Sequence, residues 1–263
     1  MEKIILMSEA IKLNLPKSNF LLAGYSLYFD DIHRSRAVFD IYHEGYKSFA
    51  DSVLVKHCKE LIDEVNIITQ KLNNGENIIT HYFPPRPYFD KLLKEWHLEN
   101  LKIASGFELC LKAKILSKGF IVNVIDRKDK KYAELSKEQE NRPIHIDELK
   151  NICDFIYTKD GSFLPGISKN SLKFSNITQK DKYRNILDLK KSHLDIIEEF
   201  RALRNIIHLT GGPGSVFFTT ARSKLGEHVA EFIVRFINNE VVPAANAAGK
   251  SSNLMERFFL KNI

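Results

Sequence analysis

The stretch EEFRALRNIIHLTGGPG, Glu198 to Gly214, is apolar at helical spacing, yet it carries two arginines, an asparagine and a histidine before a glycine- and proline-rich stop. With Phe200 at zero on a helical wheel turning ~100° per residue, Leu189, His193, Ile196, Leu203 and Ile207 fall within ~60° of it and predict a core face. By the same construction Arg204 comes at ~40°, His208 at ~80° and Arg201 at ~100°, one polar stripe on the edge of that face. Leu194 and Ile197 share the sector, so the stripe is not simply a solvated side. Two guanidinium groups beside an imidazole suit an anion: arginine offers planar bidentate donors, and histidine moves a proton near neutrality. RNA cleavage without a metal needs that set. A base takes the ribose 2′-OH proton, a cation steadies the phosphorane, and an acid protonates the leaving 5′-oxygen. The structural alternative is that the arginines lie along the core edge or pair with acids such as Glu198.

Outward from this stretch the chain reads as helix. Apolar residues recur at three- and four-residue spacing between Ser18 and Leu72, predicting two or more helices broken near His43-Glu44-Gly45. Pro84, Pro85 and Pro87 make a stiff turn and mark a domain junction. A long helix is predicted from Tyr88 to Lys118, with Gly119 as its C-cap. Phe120 to Asp126 reads as a short strand or extended connector, and the charged run Arg127 to Arg142 as solvated. A helix from Asp147 to Tyr157 precedes an irregular stretch containing GSFLPGISKNS. The quoted motif closes a helix from Tyr183 to Leu209, and a last long helix spans Ser215 to Val241. Strand signals are sparse, so the fold class is all-α. The expected organisation is an N-terminal helical region (1–82), a helical domain (83–246) and a C-terminal tail (247–263).

Composition narrows the classes. In 263 residues, 44% are apolar, enough for a core, and Lys plus Arg exceed Asp plus Glu by 39 to 33. The resulting +6 is compatible with a nucleic-acid partner without requiring one. Cys58, Cys110 and Cys153 lack any Cys-x-x-Cys spacing, which fits structural thiols in a reducing compartment. The N-terminus has no signal-peptide pattern and no stretch reaches the apolar length of a membrane span, so a soluble cytoplasmic protein without a membrane partner is expected.

The sequence EEFRALRNIIHLTGG, late in an all-α chain and before one more long helix, resembles the HEPN family (higher eukaryotes and prokaryotes nucleotide-binding). LENLKIASGFELCLKAKILSKG is similar to the early core helix of such domains, and the resemblance covers about Tyr88 to Asn246. The family's hallmark is Arg, four to six residues, then His, often with Asn, Asp or His directly after the Arg. Arg201 stands six residues before His208, but is followed by Ala202; the asparagine, Asn205, follows Arg204, which is only three residues short of His208. Either Arg201 is the catalytic arginine and Arg204 assists, or the reverse; the spacing favours Arg201 with His208. The resemblance implies a helical bundle and a metal-independent endoribonuclease of the toxin–antitoxin or phage-defence kind, with no cofactor. It also implies a homodimer whose composite site draws a second histidine from the partner, RNA as substrate, and an antitoxin or defence-system partner. Asn205 would orient a phosphate or face the second subunit. The competing expectation is a scaffold of the same fold that binds RNA, a nucleotide or a partner without chemistry.

Other patterns are weaker. Lys169 to Lys191 holds seven Lys/Arg against two Asp, with Phe174 and Tyr183 interleaved, a composition that suits single-stranded RNA. Lys169, Lys173, Lys180, Lys182 and Arg184 are its candidate contacts, with a solvated loop as the alternative. AANAAGKSS, Ala244 to Ser252, satisfies a permissive Walker A pattern but lacks the strand such a loop needs, and is expected to be a flexible linker before an amphipathic tail. Gly211 to Ser215 reads as a C-cap followed by an N-cap. No HExxH or Cys/His cluster occurs, so no metal is expected, and His145-Ile-Asp147 supports nothing specific.

Overall fold

The computed structural model describes residues 31–76, 91, 95–125, 130–150, 156–158, 161–163, 167–205 and 228–252. Among these the chain is mostly helical, as the periodicity requires, and no helix is long and apolar enough to cross a membrane. The elements run α1 (Asp31–Ala50), α2 (Val53–Lys56), α3 (Cys58–Asn73), α4 (Trp96–Ser117), β1 (Asn123–Ile125), a 3-10 turn (Lys130–Tyr132), α5 (Ala133–Asn141) and α6 (Ile146–Lys150). They continue with β2 (Ile156–Thr158), β3 (Gly161–Phe163), β4 (Ile167–Ser171), α7 (Phe174–Gln179), α8 (Asp181–Leu187) and α9 (Lys191–Asn205). The last are α10 (Val229–Phe236), a π turn (Ile237–Val241) and α11 (Val242–Ser251). Two compact units emerge. One gathers the described parts of Met1–His43, Cys110–Leu189 and Ala244–Leu260, the other those of Glu44–Leu109 and Lys190–Pro243.

The second unit is built on an aromatic core. Phe49 of α1, Phe107 of α4, Phe200 of α9 and Phe232 and Phe236 of α10 are all buried. Phe107 sits at the centre, with ring centroids 5.0 Å from Phe49, 5.2 Å from Phe236, 5.7 Å from Phe200 and 6.1 Å from Phe232. Each such pair adds roughly 0.5–1.5 kcal/mol beyond its buried area. Gly106 permits the closest approach: a Cβ there would stand 2.8 Å from the Phe49 ring. The junction between α1 and α2 is tied down by Glu99 of α4, which is wholly buried. Its carboxylate accepts hydrogen bonds from Ser52 Oγ (2.8 Å), the Val53 N–H (2.7 Å) and Lys102 Nζ (2.8 Å). It thereby satisfies an orphan donor at the start of α2, which Ser52 itself does not cap.

In the first unit β1 pairs antiparallel with β4, and β2 with β3. The strand expected in Phe120 to Asp126 is β1. Helix α5 side chains complete its other bonds: Gln139 accepts from the Ile125 N–H (2.9 Å) and donates to the Asn123 carbonyl (2.8 Å), while Ser136 donates to the Ile125 carbonyl (3.0 Å). A side-chain amide therefore stands where a neighbouring strand would be. Gly119 ends α4 with φ +83°, the left-handed conformation expected of a C-cap, and His145 Nε2 would lie 2.6 Å from a Cβ added there.

Several expectations are corrected. No break occurs at His43-Glu44-Gly45: α1 runs through it and stops at Asp51-Ser52. One glycine costs a helix only about 1 kcal/mol, less than packing returns. The helix expected over Tyr183 to Leu209 is two, α8 and α9, parted at Asp188, whose φ of 51° is left-handed. Aspartate tolerates that conformation because its short polar side chain bonds locally. Ile156 and Tyr157, placed at the end of a helix by pattern, belong instead to the strand Ile156–Thr158, and parts of the irregular stretch after them form β3 and β4. The charged run to Arg142 is not all solvated, since α5 buries Leu135, Ser136 and Gln139. The supposed linker Ala244 to Ser252 is occupied by α11 to Ser251. A Walker A loop cannot be helical throughout, so that pattern is accidental. Residues 1–30, the proline turn at 84–87, Cys153, the Gly211–Ser215 caps and the C-terminal tail 253–263 lie outside the described residues.

Candidate functional site

Helix α9 carries the polar stripe. Leu194, Ile196, Ile197 and Phe200 are buried, and His193 and Leu203 are only partly so, so the core face is centred slightly away from the wheel's expectation. Arg201 and Arg204 both lie on the edge of this face, with side chains 16% and 30% exposed. Asn205 is the last residue of α9, and His208 lies outside the described residues.

Each arginine meets a carboxylate. Arg201 grips Glu198, one turn earlier, through Nε (2.9 and 2.8 Å to the two oxygens) and Nη2 (2.6 Å to Oε1). That hydrogen bonding outweighs burial and holds the guanidinium above its ordinary pKa. All three contacts use the Nε–Nη2 edge. Among the described residues Arg201 Nη1 has no hydrogen-bond partner. Arg204 is placed differently. Its Nη1 lies 2.5 Å from Oε2 of Glu108 on α4, 96 residues away in sequence, a bond that ties the motif helix to the central core helix. The pairing of Arg201 with Glu198 was legible from its three-residue spacing. Glu108 was not, because nothing local in the sequence couples α4 to α9.

The basic stretch belongs to the other unit. Lys173 and Lys180 are exposed at the N-terminal ends of α7 and α8, and Lys169 lies in β4. Lys182 and Arg184 are used internally. Lys182 Nζ donates to the Gln139 carbonyl and stands 5.0 Å from the Tyr183 ring centroid. Burial, aided by Lys180, lowers its pKa to about 8. Arg184 Nε donates to the Thr178 carbonyl at 2.5 Å. Among the described residues no group of three or more His, Cys, Asp or Glu is arranged to hold a metal.

A pocket of about 400 Å³ opens between α3 and α10, with Val55, Ile62 and Val234 among its apolar lining and Lys59, Asp63 and Glu231 among its charges. Cys58 also lines it, and burial, with Glu231 and Glu60 adding repulsion, pushes the thiol up to about 11. A thiol so protonated at neutral pH is no nucleophile. No family model matches the chain, and neither a curated protein nor a solved structure does.

Proposed function

We propose that the chain is a metal-independent endoribonuclease of HEPN type, acting as a toxin or phage-defence effector and leaving 2′,3′-cyclic phosphate ends. The observation that carries the reading is the divided guanidinium of Arg201: Glu198 fixes one edge while the other, Nη1, is left for a phosphate oxygen. An arginine so preorganised stabilises a phosphorane without having to find its geometry at the moment of reaction. Arg204 is engaged with Glu108 and acts as the tie that seats α9. Arg201 is therefore the catalytic arginine of this reading, and His208 its general acid or base. Asn205 and a second histidine from a partner subunit would complete a composite site in a homodimer, and the exposed Lys173 and Lys180 would contact the RNA backbone.

One observation favours a second reading, a scaffold that binds RNA or a partner without chemistry. Both arginines already carry a carboxylate, so the described part of the stripe is neutral overall. Growth separates the two. An endoribonuclease arrests cells that express it, and Arg201→Ala or His208→Ala restores growth at equal protein level; a scaffold gives identical growth in all three forms.

A further inference from the structure

The sequence His145-Ile-Asp147 acquires a role at the start of α6. His145 directly precedes that helix and stands at its N-cap. Two hydrogen bonds close a capping box there. Glu148 Oε1, in the first turn, accepts from the His145 backbone N–H at 2.8 Å, and His145 Nδ1 accepts from the Asp147 N–H at 3.2 Å. The residues that usually cap a helix are Ser, Thr, Asn and Asp, whose side chains keep their state near neutral pH; an imidazole does not. The backbone around the box is fixed. The Ile146 N–H donates to the Gly119 carbonyl (2.8 Å), the Ile121 N–H donates to the Ile144 carbonyl (3.0 Å), and Phe120 pairs with His145 as an isolated antiparallel bridge. The Phe120 ring meets the imidazole edge-on, with centroids 5.3 Å apart, and Nε2 faces Gly119.

Nδ1 stands between opposite groups of one residue. The Asp147 N–H, a donor, is 3.2 Å away, and Asp147 Oδ2, an acceptor, 3.3 Å. A neutral ring with its proton on Nε2 can only accept at Nδ1, so it caps the helix. A charged ring carries a proton on both nitrogens, so Nδ1 must give up the amide and donate to the carboxylate. The other half of the box does not change over that step. Arg142 donates to Glu148 through Nη1 (2.8 Å) and Nη2 (2.5 Å), and that hydrogen bonding, outweighing burial, holds the Glu148 carboxyl below the ordinary carboxylate range. Among the described residues the charged groups around the ring are the Asp147 and Glu148 carboxylates, which favour the imidazolium, and Arg142, which opposes it together with the N–H groups that open α6. Glu138 lies beyond Arg142 and is paired with it, and Lys118, beside Gly119, is exposed at the end of α4.

We propose that His145 is a proton-operated cap: the neutral imidazole holds the first turn of α6 by accepting from the Asp147 N–H, and the imidazolium releases that N–H and pairs with the Asp147 carboxylate. The box then keeps only its Glu148 half. The first turn of α6, bonded to the Gly119 carbonyl that follows α4, therefore loosens as pH falls through the range in which histidine charges. The device does not involve Arg201 and does not rest on the ribonuclease reading.

The test uses the full chain, uniformly 15N-labelled and followed by NMR between about pH 5 and 8. The His145 ring nitrogens report its charge, and the Asp147 amide reports the cap. The Asp147 amide shift is expected to follow the ring's titration. Its protection against exchange with water, corrected for the pH dependence of an unprotected amide, should fall about fivefold as the ring charges, the loss of one side-chain cap. His145→Asn supplies a capping side chain that does not titrate, and its Asp147 amide should hold both shift and protection over the same range. The His145 ring is partly exposed, and an unchanged spectrum away from α6 verifies the fold of the variant. An Asp147 amide that ignores the ring's titration overturns the proposal. So does one whose shift follows the ring without loss of protection, because the charged ring would then not have released it. A pH response that survives unchanged in His145→Asn belongs to another group and overturns the proposal as well.

Discussion

Gly106→Ala sets two effects of known sign against each other. In the interior of a 22-residue helix, alanine is favoured over glycine by about 1 kcal/mol. At this position, however, the new methyl would stand 2.8–2.9 Å from three atoms of the Phe49 ring. Phe49 has no exposed surface and is wedged edge-on against Phe107 and Phe236, so its ring has no empty space to enter. Overpacking of this kind costs about 1–3 kcal/mol, and moving the ring also loosens two aromatic contacts of about 0.5–1.5 kcal/mol each. The clash should win, leaving the variant destabilised by about 1–2 kcal/mol after the helical gain. Chemical denaturation followed by far-ultraviolet circular dichroism reads the difference. In a Phe49→Leu background the same substitution should become neutral or stabilising, because the ring is gone. A Gly106→Ala protein as stable as the parent, or more so, would refute the reasoning that this glycine is dictated by close approach.

Two further predictions concern a buried carboxylate and a half-buried thiol. Glu99→Gln keeps the shape of the side chain but leaves one carbonyl oxygen to serve donors that now approach both carboxylate oxygens. It should cost about 2 kcal/mol; an unchanged denaturation midpoint would contradict that role. The Cys58 thiol, pushed up to about 11, should be alkylated by iodoacetamide with a midpoint near that pH rather than near the ordinary thiol value of 9.0. Between those two values the folded chain keeps a proton that the unfolded chain has lost. This group's contribution is therefore complete below about 9 and lost as pH rises toward 11. A midpoint near 9 in the folded protein would remove the claim.

What the sequence made legible was local. The all-α class, the cap at Gly119, the extended segment before Asp126 and the spacing of Glu198 to Arg201 all follow from neighbours a few residues apart. Asp188 carried no such signal, because a left-handed aspartate leaves neither a glycine nor a proline in the sequence. The π turn, Ile237–Val241, is likewise silent, since its residues are ordinary helix formers. Gln139 against β1 and Glu108 against Arg204 are contacts between distant segments that periodicity cannot reach. The same limit affected the candidate site. Sequence spacing favoured Arg201 over Arg204 without saying what either one touches; the carboxylate each one meets separates them. His145-Ile-Asp147 likewise says nothing by itself, because only the turn into α6 brings the imidazole between the N–H and the carboxylate of Asp147.

The central claim is that Arg201 and His208 cleave RNA without a metal. Its most direct measurement is incubation of the purified full chain with total RNA in EDTA, beside Arg201→Ala and His208→Ala, with the fragment ends analysed. The account predicts fragments ending in 2′,3′-cyclic phosphate from the parent protein and none from either variant. Intact RNA in all three reactions, or equal cleavage by all three, would contradict it.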